Sequence, residues 1–99
     1  MVQSARQNSV ATVVRFPDTL DASGVVRMKS HLTRLFNRHP KFVLFDLAAT
    51  KRVELAGLGM LVDRLRRLGN GHSVIRFSNA SSQVHRMLAR AGVDSLLLS

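Results

Sequence analysis

The run Phe42-Val43-Leu44-Phe45-Asp46-Leu47 is apolar at every position but one, and a second apolar pattern of different period follows it. Short runs without alternation are expected of a strand in the middle of a sheet covered by helices. In the stretch from Lys51 to Leu68, Leu58, Leu61, Val62 and Leu65 fall at i, i+3, i+4 and i+7, so they share one helical face. Leu68 continues that stripe, while Asp63, Arg64, Arg66 and Arg67 lie mostly off it. A buried strand feeding an amphipathic helix is the unit of an α/β fold. Glu54 stands where this helix should start, and a carboxylate suits the positive end of the helix dipole. Gly57 and Gly59 lie in its first turns, where each costs roughly 1 kcal/mol against Ala. Two such costs in one turn imply that something approaches this backbone closely, either a packed neighbour in the same chain or a partner protein.

The rest of the chain repeats the unit. Val2 to Arg6 is weakly strand-like, Asn8 and Ser9 are turn residues, and Val10 to Phe16 alternates as a strand does, which makes a hairpin of the two segments. Pro17 and Asp18 end that strand. Asp21 or Ser23 can cap a helix whose apolar face is Val25, Met28, Leu32, Leu35 and Phe36, closed before Pro40. Asp46 at the end of the central strand is placed to accept backbone N–H groups of the loop that follows. Gly69-Asn70-Gly71 makes a C-cap and turn, and Val74 to Phe77 is another short apolar strand. Ser78, Asn79, Ser81 and Ser82 supply N-caps for a third helix with Val84, Met87, Leu88 and Ala91 on its buried face, stopped by Gly92. Val93 and Leu96 to Leu98 are apolar enough to pack back on the core.

The order is β-β-α-β-α-β-α. It predicts a single α/β domain over 1–99, with a mixed four- to five-stranded sheet, three to four helices, parallel neighbours and right-handed crossovers. Strands are expected near 10–16, 42–47 and 74–77, and helices over about 22–38, 54–68 and 80–91. The expected core contains Val25, Leu32, Leu44, Leu58, Leu61, Val62, Leu65, Val74, Ile75 and Leu88.

Composition narrows the function classes. Ninety-nine residues suffice for one core and not for two. No cysteine means no disulfide frame and no thiolate metal site. No apolar stretch is long enough to span a membrane, and the first ten residues lack the apolar segment of a secretory signal, so a cytoplasmic protein is expected. The net charge of +9 favours acidic partners, anionic membrane surface or nucleic acid without naming one. No phosphate-cradling glycine loop or zinc-binding helix motif occurs, and no serine has a nucleophile-elbow setting. His31, His39, His72 and His85 lie on separate elements without ligand spacing. The expectation is a non-enzymatic chain with no catalytic residues, no metal and no cofactor.

From about Val10 onward the chain resembles the STAS domain family, which takes in the anti-sigma-factor antagonists. Leu20-Asp21 before the first helix, the strand-terminal Asp46, the stretch Val53-Glu54-Leu55-Ala56-Gly57-Leu58-Gly59 and the segment from Gly69 to Ala91 carry the resemblance. In the family the third of these reads D-S-S-G-L-G, and the hydroxyl residue after its Asp is phosphorylated by a partner serine kinase. The resemblance places Glu54 at the Asp position, Leu55 at the acceptor and Ala56 at the second hydroxyl. Leucine has no oxygen to accept a phosphoryl group, so that switch cannot operate there. Thr50 is the nearest other hydroxyl.

The resemblance implies a regulatory protein-binding module in bacterial signal transduction and transcription regulation. Its partner would be a serine-kinase-type anti-sigma factor or a related ATPase, docked through Lys51, Arg52, Glu54, Leu55, Ala56, Gly57 and Gly59. If exposed, Leu55 is an apolar anchor of the kind found at interface centres; if buried, it is core. Two other classes stand beside this one: a STAS-like accessory subunit of an ABC-type phospholipid transport system, and a binder of an acidic ligand driven by the basic surface. Specific nucleic-acid binding is not expected, because no Tyr or Trp is present to stack on bases.

Overall fold

Each parallel strand is followed by a helix that must return the chain to the next strand, and the hand of that crossover fixes which face the helix covers. A computed structural model describes residues 6–7, 12–69, 73–93 and 97–98, with burial described for 12–69 and 73–93. The elements in chain order are β1 (Arg6–Gln7), β2 (Thr12–Arg15), β3 (Thr19–Leu20), α1 (Ala22–Phe36), β4 (Phe42–Asp46), β5 (Arg52–Val53), α2 (Leu55–Gly69), β6 (Val74–Ser78), α3 (Ser82–Arg90) and β7 (Leu97–Leu98).

Five strands form one mixed sheet in the order β1-β2-β4-β6-β7. β1 pairs antiparallel with β2, as the expected hairpin requires, and every later pair is parallel. The parallel strands are added in one direction across the sheet. Right-handed crossovers then place α1, α2 and α3 on the same face. Burial along β4 alternates accordingly: Val43 and Phe45 are buried, while Phe42, Leu44 and Asp46 are half-buried.

This corrects the expectation that β4 is covered on both sides. An apolar run marks a strand that avoids water, but the count of covering layers depends on strand order, which the run does not contain. Four expected core residues change place, Leu44 and Val74 for this reason and Val62 and Ile75 because they lie at the edge of the covered side. Leu44 and Val74 point to the open face, and Val74 is 44% exposed; Val62 and Ile75 are only partly buried at the margin of the core. Val25, Leu32, Leu58, Leu61, Leu65 and Leu88 are buried as expected.

The core lies between the helices and the covered face of the sheet. Phe45 has Phe16 at 5.0 Å and Phe77 at 5.8 Å between ring centroids, a tilted row across β4, β6 and the residue that follows β2. This row packs the sheet toward the carboxyl ends of its strands, beneath the loops described next. Helix starts follow the sequence closely. Asp21 accepts from Gly24 N at 2.7 Å to cap α1, and Ser81 accepts from Val84 N at 3.2 Å to cap α3. Gly92, at φ 75°, closes the turn after α3. The Asn70-Gly71 part of the expected turn after α2 lies outside the described residues.

Two features are additional to the sequence reading. β7 pairs with the end of β6, and β3 pairs with β5 as a separate two-stranded parallel ribbon. Both involve strands of two residues, too short to show a period.

Candidate docking surface at the start of α2

The β3–β5 ribbon decides the geometry of the candidate site. It pairs Thr19 with Arg52 and Leu20 with Val53, so the segment before α1 and the segment before α2 run side by side. Backbone bonds extend the pairing: Lys51 N and Arg52 N donate to Asp18 O at 2.8 and 3.0 Å, and Glu54 N donates to Leu20 O at 2.9 Å. The two helices therefore start together. Gly57 shows how tightly: a Cβ there would lie 2.4 Å from Asp21 C, 2.6 Å from Asp21 Cα and 2.8 Å from Ala22 N. Only a residue without a side chain fits α2 against the start of α1.

Gly59 has a different environment. No atom lies within 4 Å of the position its Cβ would take, and the residue is exposed. The close approach inferred from the glycine pair is thus made within the chain at Gly57, and among the described residues no packed neighbour requires glycine at Gly59.

The loop leading to α2 is held from below. Asp46 Oδ1 accepts from Ala48 N at 2.9 Å, the role read from the sequence, and also from Asn79 Nδ2 at 3.0 Å. Arg15 Nε stands 3.8 Å from the other carboxylate oxygen, a loose ion pair on an exposed side chain. Asn79 adopts φ 61°, a left-handed conformation that Asn tolerates better than most residues, and this turns its amide back to Asp46. Thr50 is 2% exposed, and its hydroxyl donates to Pro17 O at 2.8 Å. A hydroxyl so enclosed and engaged is a poor target for a kinase.

Above this support lie the expected docking residues. Lys51, Arg52, Glu54, Leu55, Ala56 and Gly59 are exposed, and Gly57 is buried in the helix contact. Leu55, the first residue of α2, is 48% exposed, whereas Leu58 and Leu61 on the same helix are fully buried. That answers the alternative left open by spacing: Leu55 is off the core. Met60, five residues further and so on a different side of the helix, is 40% exposed and is not part of the expected site. Glu54 sits at the N-cap position, its carbonyl accepting from Leu58 N at 2.9 Å, with its side chain exposed. The surface is the exposed apolar side chain of Leu55, preceded in the chain by two cations and one carboxylate.

Among the described residues no group of three or more His, Asp or Glu side chains is placed to hold a metal ion, and no helix is long and apolar enough to cross a membrane. His31 is half-buried with Nε2 enclosed and unpartnered. His72 lies outside the described residues.

A single-faced α/β sheet with two helix starts joined by a short ribbon defines the class of fold. The STAS domain model matches residues 2–98, and the chain belongs to that family. Among solved structures it is similar to an anti-sigma factor antagonist from Mycobacterium paratuberculosis, at TM-score 0.79 and 15% identity over 98% of this chain and 83% of that one. It is also similar to the anti-sigma factor antagonist SpoIIAA in its unphosphorylated form, at TM-score 0.76 and 14% identity over 96% and 84%. A murine anion transporter, Slc26a9, contains the same fold: TM-score 0.69 and 13% identity over 93% of this chain but only 16% of the transporter. At these identities the likeness is one of fold. No curated protein sequence matches the chain.

Proposed function

We propose that this chain is a non-enzymatic, cytoplasmic regulatory module that binds a protein partner in the manner of an anti-sigma-factor antagonist, through the surface where α2 begins, and that it is not switched by phosphorylation at that surface. The observation that carries the reading is Leu55: a large apolar side chain, 48% exposed at the first position of α2, on a helix whose other leucines are buried or half-buried. SpoIIAA, similar in fold, has both unphosphorylated and phosphorylated forms. In this chain Leu55 and Ala56 offer no hydroxyl at the helix start, and Thr50 is enclosed.

A phosphate at a helix N-terminus would add up to two negative charges to such a surface and repel a partner that docks there. With Leu55 in place the surface is permanently competent. The partner would be an anti-sigma factor of the serine-kinase type or a related ATPase. The test incubates the chain with such a kinase and ATP, then reads complex formation and intact mass together. Stable complex with unchanged mass supports the reading. Addition of a stoichiometric phosphate would show a displaced switch, and selective binding to an ABC-type ATPase instead would move the chain to the transporter-accessory class.

A further inference from the structure

In a sheet built from βαβ units every helix runs opposite to the strands, so all helix C-termini gather at one pole of the domain and all helix N-termini at the other. The carboxylates of this chain are sorted between those poles. Asp18, Asp21, Asp46 and Glu54 all lie at the helix N-terminal pole, where they offset Arg15, Lys51 and Arg52. Asp63 lies midway along α2, and Asp94 is outside the described residues.

The opposite pole carries cations almost alone. Arg34, Arg38, Lys41, Arg66, Arg67 and Arg90 are all exposed there, at the ends of the three helices and in the segment entering β4. Of these six, among the described residues, only Arg67 reaches a carboxylate, that of Asp63 at 3.2 Å, in a pair exposed on both sides. Cations in a last helical turn are ordinary, because they complement the helix dipole. Arg38 and Lys41 are outside any helix and are not accounted for that way. The two poles are about 20 Å apart along α2, beyond the Debye length at physiological salt, so the acidic pole screens little of this charge.

An apolar feature lies on the same pole. Phe42 and Val74 are the first paired residues of β4 and β6, on the open face of the sheet. Val74 is 44% exposed, and its N–H donates to the carbonyl of Lys41. We infer that this pole docks on an anionic bilayer, with the cations against lipid headgroups and Val74 entering the interface. Nucleic acid fits the surface less well. The chain has no Tyr or Trp, and Phe16, Phe36, Phe45 and Phe77 are buried, which leaves only the half-buried Phe42 and no run of rings for base stacking. The helices also meet the surface end-on, so none presents its length to a groove.

The inference does not rest on the partner-docking reading, since that surface is at the other pole, and its test uses the chain alone. The probe is sedimentation with vesicles of equimolar phosphatidylglycerol and phosphatidylcholine, compared with pure phosphatidylcholine, at low and physiological salt. Binding is expected only to the anionic vesicles and should weaken with salt. Each neutralised cation should cost about fivefold in affinity, so Arg38→Gln/Lys41→Gln/Arg66→Gln should lose about a hundredfold. Arg15→Gln/Arg27→Gln/Lys29→Gln, with the same change in net charge away from the pole, should lose at most about tenfold. Val74→Ser should weaken vesicle binding several-fold. Thermal melts of each variant verify folding. The inference is overturned by equal losses in the two triple variants, by no binding to anionic vesicles at low salt, by an unaltered Val74→Ser, or by a DNA duplex that displaces the chain from vesicles at equal phosphate concentration.

Discussion

Replacing Gly57 with Ala tests how the two helix starts are joined. The added Cβ would meet Asp21 C at 2.4 Å, Asp21 Cα at 2.6 Å and Ala22 N at 2.8 Å, all of them backbone atoms. A clash with the end of a flexible side chain relaxes by rotation; this one relaxes only if α1 moves relative to α2. That motion would disturb the Asp21 cap, whose carboxylate accepts from Gly24 N at 2.7 Å, and strain the ribbon pairing Leu20 with Val53. Overpacking costs typically about 1–3 kcal/mol, and backbone on both sides puts this case near 3. Helix propensity returns roughly 1 kcal/mol on changing Gly to Ala. The net loss is about 2 kcal/mol, or about 8–16 °C in Tm for a domain of this size. Gly59→Ala is the matched control: with no atom within 4 Å of the new methyl, only the propensity gain remains. Its Tm should rise by about 4–8 °C at most. Circular dichroism melts of both variants give the answer. A Gly57→Ala protein as stable as wild type would refute the close approach, and with it the placement of the proposed docking surface beside α1.

Three further substitutions probe the supports of the fold. His31→Leu removes an enclosed Nε2 that has no partner, and should stabilise the chain by about 1 kcal/mol, read as a higher midpoint in guanidinium chloride. Thr50→Val keeps the shape but deletes the bond to Pro17 O, and should cost about 1–2 kcal/mol in urea unfolding without altering the helix content. Asn79→Ala loses both the bond to Asp46 and tolerance of φ 61°, and should cost about 2 kcal/mol. Asn79→Gly, which relieves the conformation and loses only the bond, should fall between that variant and wild type in Tm.

Features set by neighbours in sequence were legible without coordinates. Asp21 caps α1, Gly92 closes α3 and Asp46 accepts from Ala48 N because each acts within a few residues of itself. The stripe from Leu58 to Leu65 placed α2 because helical period is a local property. What failed depended on partners distant in the chain. Val74 reads as an inner strand residue, yet strand order leaves its face open. Thr50 reads as a loop hydroxyl, but it is buried and its bond goes to Pro17 O on a distant segment. The β3–β5 ribbon could not be read from pairs of residues with no period, although it brings the site together. For the docking surface, spacing left Leu55 between core and solvent. Its exposure depends on which segments pack over the start of α2, and spacing within the helix does not contain that.

Leu55 is proposed as an exposed anchor for a protein partner. Leu55→Asp puts a charge where the apolar anchor is proposed, on a side chain already 48% exposed. A surface change of this kind alters stability by about 0.5 kcal/mol or less, so Tm should stay within about 4 °C of wild type. Loss of an interface anchor commonly costs at least about 2 kcal/mol, roughly thirtyfold in affinity. The measurement is calorimetric titration of wild type and Leu55→Asp with the serine-kinase-type partner, with thermal melts of both proteins. A thirtyfold or greater loss of affinity at unchanged Tm is the predicted result. Unchanged affinity at unchanged Tm would contradict the account and remove the start of α2 from the interface.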